Sequence, residues 1–245
     1  MSETNQILVL ANSSRAGRHC VAGKFVKQME DGSYQAERWI RLNDPRDTDE
    51  GGVPYGDTCC RPGRAPLRPL DVIAVALQSP CNDLDHPEDW NYDPTRPWQY
   101  ITSIEPRYLP TFTDTPAKIW HDGGDDRSVA AGFIPRMGSS AASLYLIKAP
   151  HGWSVTYWKE DSQYAPWPKT RRRLQFSYAD ARHDFSITDT AFIRRHMLFD
   201  NIEMYHRQTL QIPNPENTFF CLSLTKLSPN FSRAHYKICA TIFET

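Results

Sequence analysis

Long apolar runs are what this sequence has least of. The longest, ILVLA at 7–11 and DVIAVAL at 71–77, fall far short of the roughly 20 residues a membrane-spanning helix needs, so no membrane association is expected. The opening residues MSETNQ carry neither the basic region nor the apolar stretch of a secretory signal. A mature chain that starts here and stays in the cytoplasm is the expectation. Cysteine is sparse and unpatterned: Cys20, Cys59, Cys60, Cys81, Cys221 and Cys239 form no CxxC pair, and scattered thiols of this kind read as small buried hydrophobes without disulfides. The zinc spacings CxxC, HxxxH and HExxH are missing, and DGGDD at 122–126 lacks the register of a calcium loop, so neither metal nor cofactor is expected. Charge of one sign is not in excess either. With 28 Lys and Arg against 29 Asp and Glu, the net charge of −1 argues against bulk polyanion binding while leaving room for a local basic groove.

Strand patterning is abundant. Ten short segments of alternating or continuous apolar character, 7–11, 20–26, 38–42, 71–77, 143–147, 153–158, 173–178, 184–188, 219–224 and 235–243, read as β-strands. Only TDTAFIRRHMLF at 188–199 has helical spacing, with Asp189 placed to cap it ahead of Phe192, Ile193, Met197 and Leu198. Nineteen prolines fall almost entirely between these segments and break helices there. The stretches 43–69 and 86–98 are rich in turn residues and read as long irregular connections, the kind that carries function or stays unstructured.

A third connection, 121–141, is rich in Gly, Asp and Ser and marks the natural break in the chain. It divides the sequence into a first half at 1–120, a connecting segment at 121–142 and a second half at 143–245. Ten strands over two halves predict a mainly β fold of two tandem OB-like five-stranded barrels, with long irregular loops and one or two short helices. A single ten-stranded sandwich would leave a similar pattern.

Basic residues cluster most densely in KTRRRLQFSYADARHDFSITD at 169–189. Strand alternation places Arg171 and Arg173 on one face with Gln175 and Ser177, and Arg172 on the other with Leu174, Phe176 and Tyr178. Lys169 and Arg182 enlarge the positive surface, and Trp158, Tyr164 and Trp167 just upstream offer stacking platforms. A positive groove lined by aromatics is how single strands of nucleic acid are held without sequence preference. A second basic stretch, NSSRAGRHCVAGK at 12–24, surrounds the glycine turn at Gly17 with Arg15, Arg18 and Lys24, which fits an anion-binding nest or an ordinary hairpin. In RWIRL, Arg38 and Arg41 cannot share one face of a regular strand, so at most one of them, taken as Arg41, joins a groove. No arrangement of nucleophile and base is legible. His19 and Cys20 are strand neighbours that point apart, and the cluster of His183, Asp184, Ser186 and Asp189 is linear, not spatial.

Taken in order, the blocks 7–23, 39–42, 70–77, 86–90, 143–147, 185–189 and 221–243 resemble the bacterial family of dual OB-containing domain proteins. The resemblance implies two tandem OB modules that bind nucleic acid or a nucleotide, and an accessory role in bacterial anti-phage defence. It carries over no catalytic residues, and the long connection at 43–69 departs from the compact pattern. The expectation is therefore a non-catalytic binder of single-stranded DNA or RNA. Three rivals stand beside it: an adaptor that docks an effector protein of the same system, a sensor of a small nucleotide at the Gly17 turn, and a hydrolase or transferase acting on nucleic acid, which would need polar residues from distant segments to converge, such as His183 with Asp184 or Asp189.

Overall fold

Every one of the ten expected strand segments overlaps a β-strand of the structure to within one residue, in a computed structural model that describes residues 4–15, 17–47, 51–162, 166–198, 202, 204–212, 215–227 and 233–245. The chain divides into two units. Residues 1–114 and 132–146 form the first, and residues 115–131 and 147–245 the second. The segment around 121–142 is thus shared between the two units.

In the first unit, β1 (Thr4–Arg15), β2 (Arg18–Gln28) and β3 (Tyr34–Asn43) form an antiparallel meander. The short pair β4 (Val53–Pro54) adds to β2 and leads into the one-turn helix α1 (Tyr55–Thr58). β5 (Asp71–Pro80) returns beside β1, β6 (Asp89–Tyr92) runs parallel to β3, and β7 (Gln99–Ser103) pairs with β5. The order β1-β2-β3-β6-β5, with β5 paired back to β1, closes a five-stranded barrel. Curling the sheet this tightly needs a strand position without a side chain. Gly23 supplies it, because a Cβ there would lie 1.9 Å from the Leu8 carbonyl oxygen of the neighbouring strand. Ile7, Val9, Val21, Ile40, Leu42, Ile73 and Val75 fill the interior, with Tyr92 and Trp98 meeting edge-on at 5.1 Å. The one-turn helix α2 (Phe133–Arg136) also belongs to this unit.

The second unit repeats the strand order. β10 (Ser154–Glu160), β11 (Lys169–Tyr178) and β12 (Ala181–Ile187) form the meander, β15 (Ala234–Glu244) runs parallel to β12, and β14 (Thr218–Leu224) lies antiparallel beside β15. β9 (Leu144–Lys148) pairs with β14, so the first strand of this sheet comes in two pieces, β9 and β10, separated by a turn at Gly152 with φ of 73°. β8 (Ser128–Ala130) adds to β15, and β13 (Gln208–Leu210) to β10. Phe176 stacks on Phe185 at 5.5 Å and on Phe220 at 5.7 Å, and Trp153 meets Phe220 edge-on. A buried side chain of this size contributes roughly 2–3 kcal/mol. The expected helix forms as α3 (Thr190–Arg195), and Asp189 caps it by accepting from the backbone N–H groups of Ala191 and Phe192 at 2.9 Å each.

Two connections expected to be irregular are ordered by polar contacts. In 43–69, Arg46 pairs with Asp44 and Asp57 at 2.7 Å each, and the Tyr92 hydroxyl donates to Asp57. In 86–98, residues 89–92 are strand β6, the fifth strand of the barrel. Its Asp89 is buried against Arg41. All six cysteines carry free thiols. Among the described residues, no helix is long and apolar enough to cross a membrane.

Candidate functional site

OB barrels take their ligands on the outer face of the second and third strands and in the loops beside it. In the first unit that face belongs to β2 and β3, and it is covered by the unit's own chain. Lys24 stands opposite Trp39 and Ala22 opposite Arg41 in the β2–β3 register. Lys24 is buried, donates to the Phe112 carbonyl oxygen at 2.8 Å and to Asp114 at 2.6 Å, and lies 5.1 Å over the Trp39 ring. The Trp39 Nε1–H and the Leu146 N–H donate to the other oxygen of Asp114. Arg41 is also buried, with Asp89 at 3.0 Å and the Ser143 hydroxyl at 3.2 Å, while Ser143 itself donates twice to Glu88. Carboxylates of the protein occupy the places where an anionic ligand would bind. Lys24 and Arg41, expected as ligand contacts, are therefore internal residues.

The Gly17 turn is a tight hairpin in which Arg15 and Arg18 face each other across the ladder. Arg18 spends its guanidinium on the Gly52 carbonyl oxygen at 2.9 Å and on Asp44 and Asp47 at 3.4 Å. The side chain of Arg15 lies outside the described residues, as does Tyr164.

In the second unit the equivalent face is that of β10, β11 and β12. Cross-strand pairing puts Ser154, Thr156, Trp158 and Glu160 of β10 beside Gln175, Arg173, Arg171 and Lys169 of β11, and Ser186, Asp184 and Arg182 of β12 beside Arg173, Gln175 and Ser177. Leu174 and Phe176 turn inward, as alternation requires. Arg172 follows them, and its Nε donates to the Leu198 carbonyl oxygen at 2.6 Å.

The three arginines of β11 therefore have different fates. Arg173 is a staple: only 11% of its side chain is exposed, its Nε meets Asp184 at 2.6 Å, and it also donates to the Ser186 hydroxyl and the Asp184 carbonyl oxygen. Burial lowers its pKa even with Asp184 alongside. Arg171 pairs with Glu160 at 2.7 Å but keeps 40% of its side chain in solvent. Trp158 is not an open stacking platform. It is buried, its Nε1–H donates to Glu160 at 2.7 Å, and the Arg207 guanidinium covers its ring at 4.6 Å. Trp167, by contrast, is 68% exposed, two residues ahead of the exposed Lys169, and Arg182 is exposed on the next strand.

A cleft of about 440 Å³ opens at the Ser177–Arg182 end of this face. The β10–β12 strands form one wall and residues 125–127 the other. That segment fills the gap between β12 and β15: the Asp184 N–H donates to the Asp126 carbonyl oxygen at 3.1 Å, and the Lys237 N–H to that of Arg127 at 2.9 Å. The Arg127 side chain, half exposed, reaches Asp184 at 2.9 Å. Under the cleft, Lys237 is fully buried with its ammonium on the Asp126 carbonyl oxygen at 3.0 Å, and burial lowers its pKa to about 8. His183 also lines the cleft. Burial, then the charge of Lys237 and the proximity of His121, lower its pKa to about 4, and its two ring nitrogens have no hydrogen-bond partner among the described residues. Sequence reasoning found Lys169, Arg171, Arg182 and Trp167 for this face but missed Asp125, Asp126 and Arg127, which sit far away in a segment read as a connector.

Searches of curated proteins and of solved structures return no match to this chain. One family model does match, over residues 5–242 and so over nearly the whole length. The repeated strand order, with a parallel third and fifth strand in each unit, is the architecture its description names. The chain belongs to the dual OB-containing domain family.

Proposed function

We propose that this protein binds single-stranded nucleic acid on the outer β10–β11–β12 face of its second unit, as a binding module that catalyses no reaction. The observation that carries the reading is the set of accessible groups on that face. Lys169 and Arg182 are exposed, Arg171 and Arg127 stay about half exposed beside their partners Glu160 and Asp184, and Trp167 offers an open ring at the start of β11. A cationic track tracks phosphates, and a stacked base adds roughly 1–3 kcal/mol per aromatic platform. The first unit serves as scaffold in this reading, because its corresponding cations are neutralised internally.

Fluorescence anisotropy with labelled single-stranded DNA, single-stranded RNA and duplex, repeated over a salt series, tests the proposal. Single strands are expected to bind with a log–log salt slope reflecting several phosphates, and a Lys169→Ala/Arg182→Ala variant to lower that slope by roughly two. Absence of binding at low salt would refute it and shift the weight to docking of an effector protein or to a nucleotide ligand. The family resemblance adds a setting to the proposal, that of an accessory part of a bacterial anti-phage defence system in the cytoplasm. Unchanged phage protection in cells carrying the same double variant would count against that setting.

A further inference from the structure

The cleft differs in charge from the rest of the face it belongs to. Along β11 the accessible groups are cations, whereas the cleft wall opposite the strands presents Asp125 and Asp126. Asp184 is already committed, one oxygen to Arg173 and the other to Arg127. Asp125 accepts the Arg127 N–H at 3.0 Å through one oxygen, and an ionised carboxylate has about four lone-pair sites, so acceptor capacity remains on this wall. A phosphodiester also presents only acceptors there and is repelled. The hydrogen-bond donors of a nucleoside are the groups that fit: exocyclic amino groups and ring N–H groups of bases, and the ribose 2′-hydroxyl.

The other wall completes a nucleotide-sized site. Gln175 and Ser177 of β11 supply an amide and a hydroxyl that both donate and accept. Arg182 stands opposite Ser177 at the rim, and among the described residues no carboxylate pairs with it, which leaves its guanidinium to a phosphate. The volume lies within the range of about 300–1,000 Å³ that holds small-molecule ligands. Six residues of strand, about 20 Å, separate Ser177 from Arg171, so a bound strand would run several nucleotides beyond the cleft.

We infer that the cleft is a selectivity pocket that takes one unstacked nucleotide of the bound strand, with Asp125 and Asp126 accepting from its base or ribose while Arg182 holds its phosphate. The inference rests on the nucleic-acid reading above. It predicts discrimination among strands of equal length and charge. Thymidine has a single donor, its ring N3–H, whereas deoxycytidine has the two N–H bonds of an exocyclic amino group and uridine adds a 2′-hydroxyl to the same N3–H, so these two can engage both carboxylates and thymidine only one.

The experiment titrates labelled 12-mers of dT, dC and rU into the full-length protein and into an Asp125→Asn/Asp126→Asn variant at one salt concentration. Wild-type protein should bind dC or rU at least about tenfold more tightly than dT, the scale of one hydrogen bond to a charged group. The variant should bring the three affinities within about twofold of one another. Preference for dC alone identifies the amino group as the donor, and preference for rU alone identifies the ribose hydroxyl. Equal affinities in the wild type, or a preference that survives in the variant, would overturn the pocket while leaving strand binding intact. Failure of all three to bind would overturn both readings. Retained dT affinity and an unchanged melting temperature in the variant show that a lost preference is not lost folding.

Discussion

Acid should destabilise this protein in a way that a single histidine accounts for. His183 is 2% exposed, packed among the rings of Phe176, Phe185 and His121, and within the field of the Lys237 ammonium. An unfolded chain protonates this imidazole near its ordinary 6.5, whereas the folded protein resists until about pH 4. Between those values the unfolded state holds more protons, so the stability of the fold falls as pH falls from 6.5 towards 4, and the contribution is fully present above 6.5. At about 1.4 kcal/mol per pH unit the separation sets a ceiling of about 3 kcal/mol. Solvent in the adjoining cleft screens the buried charge and brings the expected loss to about 2 kcal/mol. The perturbation that isolates it is His183→Phe, which keeps a flat ring and removes two ring nitrogens that have no partner among the described residues. At pH 7 that change should be nearly neutral. Urea unfolding followed by tryptophan fluorescence at pH 7, 6, 5 and 4.5 provides the comparison. All other carboxylates and histidines titrate in both proteins, so only the difference between the two curves reports His183. Parallel loss of stability in wild type and variant would refute the assignment.

Three further outcomes are expected. Lys237→Met should raise the melting temperature at pH 7, because it removes a buried ammonium with a single carbonyl partner; the wild type should also gain stability between pH 8 and 10.5, where only the unfolded chain still holds that proton, and the variant should show no such gain. Arg173→Met should cost about 2–3 kcal/mol in denaturant unfolding, as it leaves the buried Asp184 carboxylate with the half-exposed Arg127 as its ion-pair partner, whereas Arg171→Met, which breaks a half-exposed pair, should stay within about 1 kcal/mol. Equal costs at the two positions would contradict the different fates assigned to them. Asp189→Ala should lose about 2–3 kcal/mol, since the same carboxylate caps α3 and accepts the buried Ile242 N–H at 2.9 Å, and calorimetry would show the drop in melting temperature.

Strand positions and strand faces were legible because alternation is a local property. The inward turn of Leu174 and Phe176, and with them the outward turn of Arg171 and Arg173, follow from period two alone. What covers a face is not local. Lys24 finds its partners 88 and 90 residues away, Arg41 finds its own at 48 and 102, and Arg127 finds Asp184 at a separation of 57, distances over which no spacing rule operates. Strand β6 was illegible for a related reason. Its four residues, DWNY, alternate polar and aromatic, but the run is too short to stand out among the flanking Pro, Asp and Asn turn residues, and its first residue is an aspartate that is buried against Arg41 of β3. The ten expected strands consequently fell as four in the first sheet and six in the second, where one barrel strand is split into β9 and β10. Trp158 shows the same limit, since an aromatic beside basic residues reads as a platform until Arg207 is seen to lie over it.

The interleaving of the two units bears on how the chain emerges from the ribosome. Residues 1–114 supply every strand of the first barrel, yet Arg41 still lacks the hydroxyl of Ser143, and Asp114 the N–H of Leu146, until synthesis has passed residue 146. By then residues 115–131, which belong to the second unit, have already been made and have no sheet to join. At about 5–20 residues per second the wait for the last contacts of the first barrel is a few seconds. During that interval Arg41 keeps Asp89 but lacks the Ser143 hydroxyl, and Glu88 has no hydroxyl to hold. Cutting the chain anywhere between residues 115 and 146 would make the interval permanent.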